Sequence, residues 1–139
     1  MRVRPYDDCV STHHESDGDV AAVTALSDAY ESALVANDVG AMDAVFWDDP
    51  RVVRFGIAEI QYGIDEIADW RKNAAPVPTN RRMLRRDVVQ LAPGVVAVDL
   101  VFRNGDDTNV GRQSQIWVEH DIGWRIVRAH VSSIVDPQQ

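Results

Sequence analysis

The chain has one cysteine, Cys9, in 139 residues. No intrachain disulfide can form, and a metal site built from several thiolates is excluded. No apolar run reaches the length that crosses a bilayer, and the N-terminus carries no apolar secretory segment, so a soluble, cytoplasmic protein is expected. Positive charge is scarce: 14 Lys and Arg stand against 22 Asp and Glu, for a formal net charge of -8. Nucleic acid and anionic membranes both need a basic face, and neither is expected as a partner. Lysine is scarcer still, since Lys72 is the only one and the other basic residues are arginines. Arginine forks suit bidentate recognition of carboxylates, although GC-rich coding gives the same usage.

The length fits one domain with one core. Residues 1–18 are polar and lack a hydrophobic period, so they are expected to form a disordered leader ahead of a single domain over 19–139. His13 and His14 beside Glu15 and Asp17 offer metal-binding groups, but a floppy tail is a poor place for a metal site. Asp19 fits an N-cap. Val23, Leu26, Tyr30 and Ala33/Leu34 recur at helical spacing over Val20 to Asn37, which puts Tyr30 on a buried stripe. A short helix from Val39 to Phe46 follows, then a third starting at Gly63 with Ile64, Ile67 and Trp70 on one side. Asn73 to Asn80, with two prolines, reads as its exit loop. Four strands complete the chain: Met83–Leu91, Val95–Arg103, Asn109–Glu119 and Trp124–Ser133, joined by short turns as an antiparallel meander. Helices first and strands afterward indicate an α+β fold, with helices covering one face of a curved sheet.

One stretch does not fit a plain core strand. Asp49-Pro50 ends a helix, Val52-Val53 and Phe55 read as a strand, and Arg54 sits inside it. Either Arg54 points to solvent from an exposed face, or it is held in a pocket to receive an anion. Strict alternation would place Trp124, Ile126, Arg128, His130 and Ser132 in one row of the last strand and Arg125, Val127, Ala129 and Val131 in the other. Neither row is purely polar, so both faces are expected to be covered, one by helices and the other by a second subunit.

The run Phe46-Trp47-Asp48-Asp49-Pro50-Arg51 to Arg54-Phe55-Gly56, with Tyr62-Gly63-Ile64, Gly111-Arg112-Gln113-Ser114-Gln115 and Ala129-His130-Val131-Ser132, resembles a subfamily of nuclear-transport-factor-2-like (SnoaL-like) proteins. That subfamily is encoded beside amidases of ureide and s-triazine breakdown. It includes oxalurate-catabolism proteins and the decarboxylating amidohydrolase that acts on 1,3-dicarboxyurea in cyanuric acid breakdown. The resemblance covers about Val20 to Ile134. It implies a cone-shaped fold enclosing a pocket, a homodimer paired through the sheet face, a functional link to an amidase, and no cofactor or metal. It also implies a small anionic substrate handled by a helix tyrosine and a strand arginine, which match Tyr30 and Arg54. Phe46, Trp47, Gly56, Ser114, Trp117, His130 and Ser132 are the expected substrate-binding residues. The long leader and the loop Asn73 to Asn80 depart from the pattern.

The plainer alternatives are definite. Tyr30 fits a core tyrosine with a satisfied hydroxyl, His130 a half-buried strand histidine, Trp47 and Trp117 packing residues, and Asp48 and Asp49 turn residues. Arg112, Ser114 and Gln115 do not all share one strand face, so all three cannot line one pocket. Two further functional classes fit the same cone. An isomerase or dehydratase would need Glu59 or Asp99 buried as its acid or base. A non-catalytic module would bind an anion or support an amidase.

Overall fold

The computed structural model describes residues 16–138. The leader up to residue 15, with Cys9, His13 and His14, lies outside the described residues. Helix α1 spans Ser16–Ala36 and starts upstream of the expected cap. Asp19 lies inside it, where its carboxylate accepts from Gln90 Nε2 and Gly94 N, both at 3.0 Å, and ties the helix to the sheet. Val23, Ser27, Tyr30 and Ala33 form its buried stripe. The helix stops at Asn37, which adopts φ 53°, a left-handed conformation that asparagine tolerates. Asp38 then caps α2, Val39–Ala44, by accepting from Ala41 N at 3.1 Å.

The second helix is shorter than its apolar spacing suggests because Phe46 is drawn into the sheet. Phe46 makes a parallel bridge to Ile126, while Trp47 N donates to Ile126 O and Ile126 N donates to Val45 O. Strands β1, Val53–Phe55, and β2, Ile60–Tyr62, form a small antiparallel pair. Helix α3 follows at Ile64–Asn73, capped by Gly63. The long strands are β3, Arg81–Ala92; β4, Val95–Asn104; β5, Asn109–His120; and β6, Gly123–Val135.

One six-stranded sheet results, in the order β2-β1-β6-β5-β4-β3. Its meander from β3 to β6 is antiparallel, whereas β1 joins β6 in parallel, with Arg54 opposite Ala129. The register slips at Leu84, Leu91 and Val127, where one extra residue is accommodated. Such bulges bend a sheet and raise its twist. The three helices pack on its concave side around Val23, Met42, Phe46, Ile67, Val96, Trp117 and Ile126, an α+β cone. Among the described residues no helix is long and apolar enough to cross a membrane.

The bulge at Val127 overturns the strict alternation of β6. Ile116 pairs with Arg128 but Trp117 pairs with Ile126, so Val127 is the extra residue. Trp124 and Ile126 therefore share the inner face with Ala129, while Arg128 and His130 are exposed. One cross-strand row, Gln61, Arg54, Ala129, Gln115 and Val98, faces the helices. The neighbouring row, Ile60, Phe55, His130, Ser114 and Asp99, faces away.

Candidate functional site

A cavity of about 270 Å³ opens between the helices and the sheet. Arg54 reaches it from β1 and is only 9% exposed. The small Ala129 opposite leaves space for the arginine side chain. Its guanidinium carbon lies 3.9 Å from the Trp70 ring centroid, where a cation is attracted to the aromatic face. Arg54 Nη1 donates to Glu59 Oε1 at 2.9 Å and to Gln61 Oε1 at 3.0 Å. Among the described residues Nε and Nη2 have no hydrogen-bond partner.

Tyr30 enters from α1 and is 6% exposed, with its ring edge-on to Phe46 at 6.1 Å. Its hydroxyl oxygen accepts from Arg71 Nη2 at 3.4 Å, the long end of hydrogen-bond range. A guanidinium has only donors, so the phenolic hydrogen must turn away from Arg71.

Arg71 is a site residue that the sequence reading missed. It is 6% exposed, lines the cavity, and is fixed by Asp43 at 2.8 Å from Nε. A signal for it was present. Ile64, Ile67 and Arg71 lie three and then four positions apart and so share one helix face. Trp70, placed on that face by the reading, is half-buried and lines the cavity beside Arg71. Arg54 and Arg71 lie 3.9 and 5.4 Å from the Trp70 ring centroid, so their separation cannot exceed the sum of those distances.

A third guanidinium, Arg81 at the start of β3, also lines the cavity. It forks onto Glu31 at 2.9 and 3.2 Å and sits 3.7 Å from the Phe102 centroid. Phe102 fits there because Gly111 has no side chain: a Cβ at that position would overlap the ring. Gln113, from the same motif, adds a polar group to the lining. Three arginines thus face the cavity, and Glu59 is the carboxylate in its lining, since Asp43 and Glu31 hold their arginines from outside it.

Of the nine residues expected at the site, Tyr30, Arg54 and Phe46 line the cavity. Gly56 is adjacent to it, under Glu59 and Arg54. Ser114, His130 and Ser132 are elsewhere. Ser114 bonds Asp99, Ser132 accepts from Arg112, and the His130 ring packs edge-on to Phe55 at 5.6 Å, all on the outer side of the sheet. Trp117 is fully buried and donates to Gln115 Oε1 at 3.0 Å. Trp47 stacks on His120 at 5.4 Å under the Arg51 guanidinium. Both tryptophans pack, and neither lines the cavity. Asp99 is likewise outside it, which leaves Glu59 as the acid of the two considered. Among the described residues no group of three His, Cys, Asp or Glu could hold a metal ion.

Residues 15–137 match the AtzH-like family. The chain belongs to that family. Two solved structures are similar to the chain in sequence as well as in fold. A cystatin-like fold protein from Burkholderia xenovorans LB400 is 42% identical, with a TM-score of 0.81, over 85% of this chain and 93% of that one. A DUF3225-family protein of unknown function from Pectobacterium atrosepticum SCRI1043 is 38% identical, with a TM-score of 0.79, over 84% and 91%. An NTF2-like superfamily protein from Salmonella enterica serovar Typhimurium LT2 shares the fold at 16% identity and a TM-score of 0.69, over 85% and 92%. No curated protein matches the chain. This AtzH-like protein therefore has the fold of that NTF2-like protein.

Proposed function

We propose that this AtzH-like protein is a decarboxylating amidohydrolase acting on an N-carboxylated urea or a related ureide such as 1,3-dicarboxyurea. The observation that carries the reading is that Tyr30 and Arg54 open onto one cavity also lined by Arg71 and Arg81. Burying a carboxylate is costly unless it is paired and hydrogen-bonded, and guanidinium groups supply both. Arg54 holds the carboxylate that stays on the substrate and polarises the adjoining carbonyl, each charged hydrogen bond contributing roughly 1.5–3 kcal/mol. The bond between nitrogen and the departing carboxylate carbon breaks, carbon dioxide leaves, and the electron pair remains on nitrogen. Tyr30 passes its proton to that nitrogen and regains one from water. Donation from Arg71 fits this role because it leaves the phenolic hydrogen free to face the substrate. Pairing of two copies through the outer sheet face and a link to an amidase belong to the same reading.

The test is carbon dioxide release from freshly generated 1,3-dicarboxyurea. Turnover above the spontaneous rate is expected, with kcat lowered by about a hundredfold or more in folded Tyr30→Phe, the typical scale of a lost proton donor. Arg54→Ala should lose turnover as well. Absence of turnover by the unmodified protein would exclude this substrate.

One observation favours a second reading, an isomerase-type proton transfer: Glu59 brings a carboxylate to the cavity wall. Its engagement by Arg54 weighs against a free base. Exchange of a substrate carbon-bound proton with deuterated water, lost in Glu59→Gln, would identify that activity. Anion binding without turnover would identify a binding module.

A further inference from the structure

Arg54 differs from the other two cavity arginines in where its acidic partner sits. Asp43 and Glu31 contact Arg71 and Arg81 from outside the cavity lining, whereas Glu59 belongs to the lining. Its Oε1 lies 2.9 Å from Arg54 Nη1, and its Oε2 accepts from Ala58 N at 3.2 Å. That is a carboxylate bound to the guanidinium that the proposed substrate carboxylate also needs.

The backbone is shaped for this contact. Glu59 ends the short connection between β1 and β2, in which Ile57 and Ala58 are exposed, and Gly56 N donates to Glu59 O at 2.8 Å. The Glu59 carboxylate folds back over the Gly56 Cα. A Cβ on Gly56 would overlap it and come within 2.9 Å of Arg54 Nη1. Glu59 is also the more mobile partner by its surroundings: its side chain is 28% exposed, against 11% for Arg54, which is held by Gln61 and Trp70.

We infer that Glu59 is a built-in competitor for the Arg54 anion site, a carboxylate of the chain itself that an incoming carboxylate must displace. The inference rests on the reading that Arg54 receives an anion, but not on the reaction that follows. An intramolecular ligand acts at a high effective concentration, so it weakens the apparent affinity of every small carboxylate at that site. Glu59 thereby sets the affinity threshold of the cavity. An anion binds only where its own contacts outweigh those that Glu59 gives up.

The experiment is calorimetric titration of the full chain with malonate and with acetate as probes. The variants are Glu59→Gln, Gly56→Ala and Arg54→Met, each checked for folding by thermal unfolding. Glu59→Gln removes the competing charge and keeps the shape. Gly56→Ala reaches the same end by another route, because the new methyl group overlaps the Glu59 carboxylate far more deeply than it approaches Arg54 Nη1, and Glu59 is the side chain with room to move toward solvent. Malonate should bind Glu59→Gln roughly tenfold or more tightly, given one like charge removed within contact distance. Gly56→Ala should shift in the same direction, and Arg54→Met should lose binding. Unchanged or weaker malonate binding in Glu59→Gln overturns the inference, and so does absence of binding in every variant. Tighter malonate binding without turnover of 1,3-dicarboxyurea overturns the decarboxylase reading and leaves this inference standing.

Discussion

Arg71 Nη2 lies 3.4 Å from the Tyr30 hydroxyl, so the last turn of α3 hands a cationic donor to the one tyrosine of the cavity on α1. Asp43 on α2 fixes the same guanidinium. Three helices therefore meet at Arg71, and both the packing and the proposed chemistry depend on it.

Removing Arg71 leaves Asp43 without its partner. Arg71→Met is expected to lower unfolding free energy by about 1–3 kcal/mol, below the range for a fully buried ion pair because the Asp43 side chain is 25% exposed. Adding Asp43→Ala to that variant should return part of the loss, because the orphaned charge goes with it. Urea unfolding of both single variants and the double variant measures the coupling. Strict additivity would show that the pair contributes nothing. In turnover assays Arg71→Lys should lower kcat about tenfold or more, since a lysine ammonium cannot hold Asp43 and the hydroxyl in one planar fork.

The Val127 bulge sets which residues of β6 face the cavity. Deleting Val127 would remove the extra residue and leave Ile126 and Arg128 facing Trp117 and Ile116 as they do now, so Ala129 and Val131 should stay inward and keep the space opposite Arg54. A loss of about 1–3 kcal/mol is expected, from the lost side chain and the lost bend rather than from a register error. Circular dichroism and urea unfolding check it; a much larger loss would mean that the fold depends on the bend at Val127.

Gly111 makes room for Phe102, which carries Arg81. Gly111→Ala is an overpacking change, expected to cost about 1–3 kcal/mol. Phe102→Leu in the same chain should recover part of that loss, read again by urea unfolding.

Acid stability follows from three carboxylates. Donation from the Arg51 side chain pulls Asp49 from 3.8 down to about 2. Asp87 is lowered by Arg85, and Asp136 by the Gln138 backbone N–H and then by Arg103. A depressed carboxylate contributes stability that is full above its unfolded value and is lost as pH falls through the folded one. For Asp49 the window runs from 3.8 down to about 2. Urea midpoints across that window should fall more steeply for the unmodified protein than for Asp49→Asn, and parallel curves would remove Asp49 from the account.

The element order and the α+β class were legible in the sequence because they rest on local signals: the apolar stripe of α1, the Asn37-Asp38 break, and alternating strands between turn residues. Tyr30 was legible as a residue of that stripe, and Arg54 stood out as a charge in an apolar strand. Ser114 was misplaced although β5 alternates without a break and sets it on the face opposite the buried Gln113 and Gln115. His130 and Ser132 were misplaced for a specific reason. Period-two alternation cannot reveal a bulge, and one extra residue at Val127 reverses which side chains of β6 face the helices. Arg71 was hidden in a different way, as a charge on an apolar helix stripe whose partner Asp43 lies far along the chain.

By itself, then, the sequence determined the elements, their order and the two residues whose local setting was unusual, because periodicity and turn chemistry act over a few residues. Only the tertiary structure decided that β1 joins β6 in parallel, that Arg71 meets Tyr30, and that Glu59 rests on Arg54 over Gly56. The two helix and sheet contacts join distant parts of the chain, and the third depends on a close backbone approach that no spacing pattern records.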